Sequence, residues 1–232
     1  MSFRILTRRS MLPLLTVAPF YRTAEQTAPE PIRTRMILGG DVMLSRHVGR
    51  VARGRHDPAF PLRDLAPMFQ AADIAFVNLE SPFSDHGAVV EHGMVFKAEP
   101  EMIAALELAG IDVVSTANNH VRDQGSHGVE FTMDWLESHG IAVAGSGKTA
   151  EAAHSGVVVE RNGLRFGFLA YTYDQSNGNH ADTDDRVAMM DLTALREDLA
   201  RMRARVDVTI VSMHAGTEYA SKPNAQQIAF AQ

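Results

Sequence analysis

IDVVSTANNHVRDQG, residues 111–125, governs how the rest of the chain is read. Its apolar run, Val113–Thr116, is followed by Asn118, Asn119 and His120, with Asp123 close behind. A short continuous apolar run marks a strand buried on both faces. Ligating side chains just past such a strand stand where open α/β sheets bind their ligands, beyond the carboxyl ends of the strands. The asparagines offer neutral carbonyl oxygens, and His120 suits either metal ligation or general acid work. Asp123 either orients His120 or solvates the loop. The plainer alternative for His120 is a hydrogen-bonded core histidine.

Three further strings repeat this arrangement: GGDVMLSR (39–46), VNLESP (77–82) and SMHAGTEY (212–219). They close the strand candidates Arg35–Leu38, Ile74–Val77 and Val208–Met213. Asp41 follows two glycines, which let the backbone turn sharply and approach a ligand. A carboxylate there is a natural metal ligand, or else a cap for the next helix. Arg46 presents a fixed fork of donors that suits an anionic substrate oxygen, with a solvated surface arginine as the alternative. Asn78 and Glu80 flank Leu79, so an extended backbone points both to one side. Either suits a metal, Glu80 better because it is charged; the alternative is a hydrogen-bonded turn before Pro82. His214 follows its strand directly, as a ligand would, or is a core histidine. Glu218 either holds the other ring nitrogen of His214 or approaches the site itself. Four strand ends converging with such side chains would make a metal-centred site.

The chain has 232 residues, 45% of them hydrophobic, enough for one domain with a full core. It has no cysteine, which excludes disulfides and thiolate metal sites and leaves Mn, Fe, Zn or Mg as suitable metals. A formal charge of −6 without a broad basic surface argues against nucleic acid as a partner. No stretch approaches the ~18–20 apolar residues that span a bilayer. Residues 1–24 read as an export signal: Arg4, Arg8 and Arg9 precede the apolar run Met11–Phe20, and TRRSMLPLL resembles a twin-arginine signal. A disordered basic tail is the alternative. Residues 25–33 read as a linker, and 34–232 as the folded domain.

Further strands are expected at Ile141–Ala144, Val157–Glu160 and Phe166–Tyr171. Helices are expected at Pro61–Ala72, Pro100–Ala109, His127–His139 and Leu192–Arg205. The alternation implies an α/β fold with a largely parallel sheet. AGSGKT, 144–149, lacks the first glycine of a phosphate-binding loop and reads as a turn. The histidines outside the four strings, His86 and His127 among them, share no ligand spacing and read as surface residues. Asp174–Arg186 reads as a loop. SKPNAQQIAFAQ opens a helix with Ser221 as N-cap and leaves Ile228 and Phe230 in need of cover. The domain is therefore expected to be truncated at its C-terminal side.

The order GDVML, NLESP, ANNHVRDQG, GIAVAGSG, HAGTEY, from about Arg33 onward, resembles the capsule-synthesis CapA family, also called the poly-γ-glutamate biosynthesis family. The resemblance implies a four-layer αββα sandwich like that of calcineurin-type metallophosphoesterases. By that pattern Asp41, Glu80, Asn119 and His214 would be metal ligands, and His120 the acid that protonates the leaving oxygen. It implies an exported, periplasmic or cell-envelope protein, working with an anionic polymer such as poly-γ-glutamate and with a membrane-bound capsule synthesis complex. Two departures stand out. Met43 takes the place of the histidine usual in such phosphoesterases, and a later histidine element is not reached. The activity is therefore left open among a metal-dependent hydrolase of phosphoester or γ-glutamyl bonds, a non-catalytic assembly factor and an inactive truncated product.

Overall fold

The computed structural model describes residues 33–86, 94–173, 185–217 and 219–232. The expected export signal, the linker before Arg33, most of the Asp174–Arg186 loop and Glu218 lie outside the described residues. In chain order the elements are β1 (Met36–Val42), α1 (Arg46–Gly54), a 3-10 turn (Phe60–Leu62), α2 (Ala66–Gln70), β2 (Ile74–Leu79), a second 3-10 turn (Pro100–Met102), α3 (Ile103–Ala109), β3 (Val113–Ser115), α4 (Gly125–Ser138), β4 (Ala142–Ala144), α5 (Ala150–Ser155), β5 (Val157–Arg161), β6 (Leu164–Thr172), α6 (Leu192–Arg203), β7 (Val208–His214) and α7 (Ala225–Ala231). No described helix is long and apolar enough to cross a membrane.

The expected strands all form. The expected helix Pro61–Ala72 does not form as one piece, because Pro67 lacks an amide donor and disfavours helix just before it. A 3-10 turn and the short α2, with Pro67 in its first turn, replace it. The helices α1 and α5 were not anticipated. α1 is rich in arginine and carries only a thin buried face, Gly49 and Ala52. α5 is short and starts from Thr149, whose hydroxyl accepts from the amide of Ala152.

Strands β1 to β4 lie side by side in sequence order, all parallel. A second sheet has the order β5-β6-β7, with β5 and β6 antiparallel and β6 and β7 parallel. Asn162 and Gly163 join β5 to β6, both with positive φ, the backbone that a two-residue hairpin loop requires. Strand alternation sorts the core into layers. On β2, Ala75, Val77 and Leu79 pack with Phe69, Ile103 and Leu106 from α2 and α3. Ile74 and Phe76 point the other way, to Phe166, Phe168 and Ala170 of β6. Phe76 and Phe168 stack across this gap with ring centroids 5.6 Å apart. The other face of β6 presents Leu169 and Tyr171 to Ala153, Leu195, Met202 and Phe230 from α5, α6 and α7. There the buried Asp198 carboxylate accepts from the Tyr171 hydroxyl at 2.7 Å, meets His154 Nδ1 at 2.7 Å and pairs with Arg201. Burial, with Asp198 adding to it, pushes the Tyr171 phenol well up, so it remains a neutral donor.

The last helix departs from expectation in two ways. Its N-cap is Asn224 rather than Ser221, because Gln227 stands three residues on and completes a reciprocal capping box. Phe230 is buried, packed edge-on against Tyr171 at 5.1 Å, while Ile228 is exposed.

One irregularity aims the first strand. Leu38 pairs with Phe76 but Asp41 pairs with Asn78, so β1 takes three steps against two on β2. Such a bulge flips the facing of every later side chain. Without it Asp41 would stand opposite Leu79 and point toward α2 and α3. With it Asp41 shares the face of Asn78, toward the second sheet. The glycines before Asp41 serve this bulge and a close packing contact. A Cβ on Gly39 would stand 2.9 Å from Val77 Cγ1 and 3.3 Å from Phe69 Cζ, whereas one on Gly40 would meet nothing within 4 Å. Gly39→Val is expected to lower stability in urea unfolding by about 1–3 kcal/mol, the usual cost of overpacking. Gly40→Ala is expected to change it by no more than about 0.5 kcal/mol.

Candidate metal centre

The gap between the sheets is apolar along most of its length and turns polar at one end. On β7, Ile210 faces the gap, so Ser212 and His214 continue that face. On β2, Ile74 and Phe76 are followed on the same face by Asn78. The bulge adds Asp41 from β1. Glu80 lies just past β2, two residues after Asn78, with its amide donating to the carbonyl of Val42 at 3.0 Å. One donor atom from each of Asp41, Glu80 and His214 lies within 4.8 Å of the others.

Asn78 sits among these groups. Its Nδ2 donates to Asp41 Oδ1 at 2.7 Å and lies 3.1 Å from His214 Nδ1, which is itself 3.3 Å from Asp41 Oδ1. Asn119 reaches the opposite side of the same imidazole, its Oδ1 3.0 Å from His214 Nε2. Asn118 turns inward: its Nδ2 donates to Asn78 Oδ1 at 3.2 Å and to the Leu79 carbonyl at 2.8 Å. Its Oδ1 accepts from the amide of His120 at 3.0 Å, which fixes the turn that presents the histidine. The structure thus brings together Asp41, Glu80 and His214, with Asn78 between Asp41 and His214, and sets Asn119 on the far edge of the imidazole.

His120 is buried beside this group. Its Nδ1 lies 2.8 Å from Asp123 Oδ2, and the same oxygen accepts from the amide of Phe96 at 2.5 Å. The Phe96 ring stacks on the imidazole with centroids 3.8 Å apart. Arg46 covers the region from outside, its guanidinium carbon 5.8 Å from the Phe96 centroid. It takes a left-handed backbone, φ 52°, at the start of α1. Arg46, Arg50 and Arg53 then follow one another at helical spacing and, with Lys97 and Glu99, line an open groove of about 420 Å³. Met43 does not stand in for a ligand: its sulfur accepts from the amide of Ser45 at 3.2 Å. Phe96 is the residue that sequence reasoning missed. It lies 24 positions before His120 with no spacing signal to link them.

The end of β7 is held from behind. Thr172 donates from its hydroxyl to the His214 carbonyl at 3.3 Å, and Gln227 Nε2 of α7 donates to the Ala215 carbonyl at 2.7 Å. Gly216, at φ 131°, makes room for that amide, since a Cβ there would stand 2.9 Å from Gln227 Nε2.

The donor set fits a divalent cation. Two carboxylates and an imidazole match the mixed oxygen and nitrogen ligands of Mn, Fe, Zn and, less well, Mg. His214, followed by the hydrogen bond from Asn78, holds the Asp41 carboxyl below its usual range despite the opposing effect of burial. Asp41 is therefore anionic at neutral pH and ready to bind a cation.

A family model described as bacterial capsule synthesis protein PGA_cap matches residues 35–232. The chain is 25% identical over 238 residues to "Capsule biosynthesis protein CapA" of Bacillus anthracis, covering 95% of this chain and 58% of the relative. It is 23% identical over 192 residues to "PGA biosynthesis protein CapA" of Bacillus subtilis (strain 168), covering 81% of this chain and 50% of the relative. A Mycobacterium tuberculosis protein named as a probable polyglutamine synthesis accessory protein is 25% identical over 249 residues, covering 88% of this chain and 66% of the relative. The chain thus spans little more than half the length of the two Bacillus relatives.

The depressed Asp41 pKa has a measurable consequence. A carboxyl whose folded pKa lies below its unfolded value stabilises the fold above the unfolded value, about 3.9. That contribution disappears as pH falls through the folded pKa. In His214→Ala the titration midpoint of Asp41, read from its side-chain carboxyl NMR shift, is expected to move up toward 3.8. An unmoved midpoint would show that the imidazole does not set it.

Proposed function

The chain belongs to the bacterial capsule synthesis protein family PGA_cap, and from that premise we propose that it serves the synthesis or export of an anionic capsule polymer such as poly-γ-glutamate, through a site that holds a divalent metal. The observation that carries this reading is the meeting of Asp41, Glu80 and His214, from three separate strand ends, within 4.8 Å. Asn119 Oδ1, on the Nε2 side of the ring, orients the imidazole from the loop after β3 while the carboxylates stand on its Nδ1 side. A divalent ion held there supplies Lewis-acid polarisation of a phosphoryl or carbonyl oxygen and lowers the pKa of a bound water.

The chain's own residues supply the rest of a hydrolytic site for a phosphoester or γ-glutamyl bond. With Asp123 accepting from Nδ1–H, Nε2 of His120 is the nitrogen that takes up a proton from water and then gives it to a leaving oxygen. Phe96 covers one face of that imidazole and limits its contact with water. Arg46, Arg50 and Arg53 offer successive cations to the carboxylates of a polymer lying in their groove, where Lys97 is paired with Glu99. A four-layer, metallophosphoesterase-like arrangement belongs to the same proposal. Two sheets sharing one apolar gap, with helices packed on the far side of each, support it. So does export to the cell envelope beside a membrane-bound capsule synthesis complex, for which the support is Arg8 and Arg9 ahead of the apolar run Met11–Phe20.

A second reading, a non-catalytic assembly factor, is favoured by two features: the basic groove and the occupation of Met43 by its own loop. Metal analysis and hydrolysis of a generic phosphodiester separate the two. The hydrolase reading expects near-stoichiometric Mn, Fe or Zn. It also expects a loss of about 10²-fold or more in rate for both Asp41→Ala and His120→Ala. Equal rates in wild type and both variants would remove the hydrolase. Retention of polyglutamate without metal, lost in an Arg46→Ala, Arg50→Ala double variant, would then support the assembly role.

A further inference from the structure

The described residues hold a second group of metal-capable donors, away from any motif used above: Asp85, His86 and His127. Asp85 and His86 stand in the passage after β2, and His127 in the first turn of α4. The chain separates them by 41 positions, so nothing in the sequence spacing pairs them. We propose that these three side chains form a second, surface-exposed site for a borderline divalent transition-metal ion, zinc foremost.

The geometry is that of a half-assembled coordination shell. Asp85 Oδ1 lies 2.6 Å from His86 Nδ1 and 2.7 Å from His127 Nε2, so two ring nitrogens converge on one carboxylate oxygen. The two imidazoles meet edge to face with centroids 4.3 Å apart. Contacts from His127 and then His86 hold the Asp85 carboxyl below its usual range, so it is anionic at neutral pH. Two imidazoles and one carboxylate favour zinc, cobalt or nickel over magnesium and calcium, which prefer oxygen alone. Three protein ligands on a tetrahedral ion leave a position for water or an external group. The side chains are 47%, 67% and 51% exposed for Asp85, His86 and His127, so an ion reaches them directly from solvent.

The frame beneath these ligands is rigid, which a chance surface cluster would not need. The Thr132 hydroxyl of α4 accepts from the amide of Phe83 at 2.9 Å and donates to its carbonyl at 3.0 Å. Phe83 and Thr132 are both buried. The Ser84 amide donates to the Ala98 carbonyl at 3.2 Å, and Ser84 Oγ accepts from the amide of His86 at 3.1 Å. The passage carrying Asp85 and His86 is thus strapped to the helix that carries His127. The ligand-bearing segments are thus positioned relative to each other before any ion is bound.

The proposal is independent of the capsule reading, and so is its test. In an Asp41→Ala, His214→Ala background, the metal-stripped full chain is expected to bind one equivalent of zinc at neutral pH. Cobalt in its place is expected to give visible d–d absorption. Adding His86→Ala or His127→Ala should weaken binding by at least the ~10–100-fold that even outer-shell ligand partners contribute. If that background fails to fold, the same loss of one zinc equivalent is read from His86→Ala, His127→Ala in the otherwise native chain. Because these two residues are exposed, far-ultraviolet dichroism should be unchanged. An unaltered zinc stoichiometry in that double variant, or displacement of the zinc by excess magnesium, would overturn the assignment.

Discussion

The Asn78 carboxamide is the contact on which the polar end of this molecule depends. Its side chain is buried, and a buried amide that loses its partners costs about 1–3 kcal/mol. Its partners come from three directions: Asp41 on β1, His214 on β7 and Asn118 in the loop after β3. β1 and β3 flank Asn78 in its own sheet, while β7 belongs to the other. One side chain therefore ties the two sheets together where their shared apolar filling ends. Asn78 also sets the spacing of Asp41 and His214. Asp41 and His214 are each held by it, and Asn119 closes on the far side of the imidazole.

Net charge gives a poor account of this surface. The chain is acidic overall, yet α1 gathers Arg46, Arg50 and Arg53 beside Lys97 along one groove. Helical spacing brings these residues to one side, so the local field differs in sign from the average. The groove begins at Arg46, whose guanidinium lies over Phe96, and Phe96 in turn lies on His120. Arg46, Phe96 and His120 thus form one contiguous stack.

Much of this was legible in the chain because strands buried on both faces write themselves as apolar runs. The strand ends pointed to Asp41, Glu80 and His214, which lie close together in the structure. What was not legible arises from contacts between distant segments. The bulge at Gly39 and Gly40 depends on the fit of Phe69 and Val77 against the strand, which no local pattern records. Phe96 reaches His120 only through the tertiary fold. His86 and His127 share no sequence spacing because their common ground is a helix strapped to a loop by Thr132. Pro67 split an expected helix, and a capping box at Asn224 prevailed over Ser221, both through local chemistry that was present in the chain but outweighed in the reading by apolar periodicity.

α7 stands behind β7 and governs how His214 is held. Phe230 anchors it to Tyr171, and Gln227 grips the peptide just after His214 through the gap that Gly216 leaves. The imidazole is thus steadied by a seven-residue helix standing behind its strand, much as a bracket steadies a shelf. Loosening that bracket would blur the aim of the imidazole without altering any atom of the ring. A change in how His214 is held can therefore originate in a part of the molecule that no inspection of the ring's own neighbours would single out.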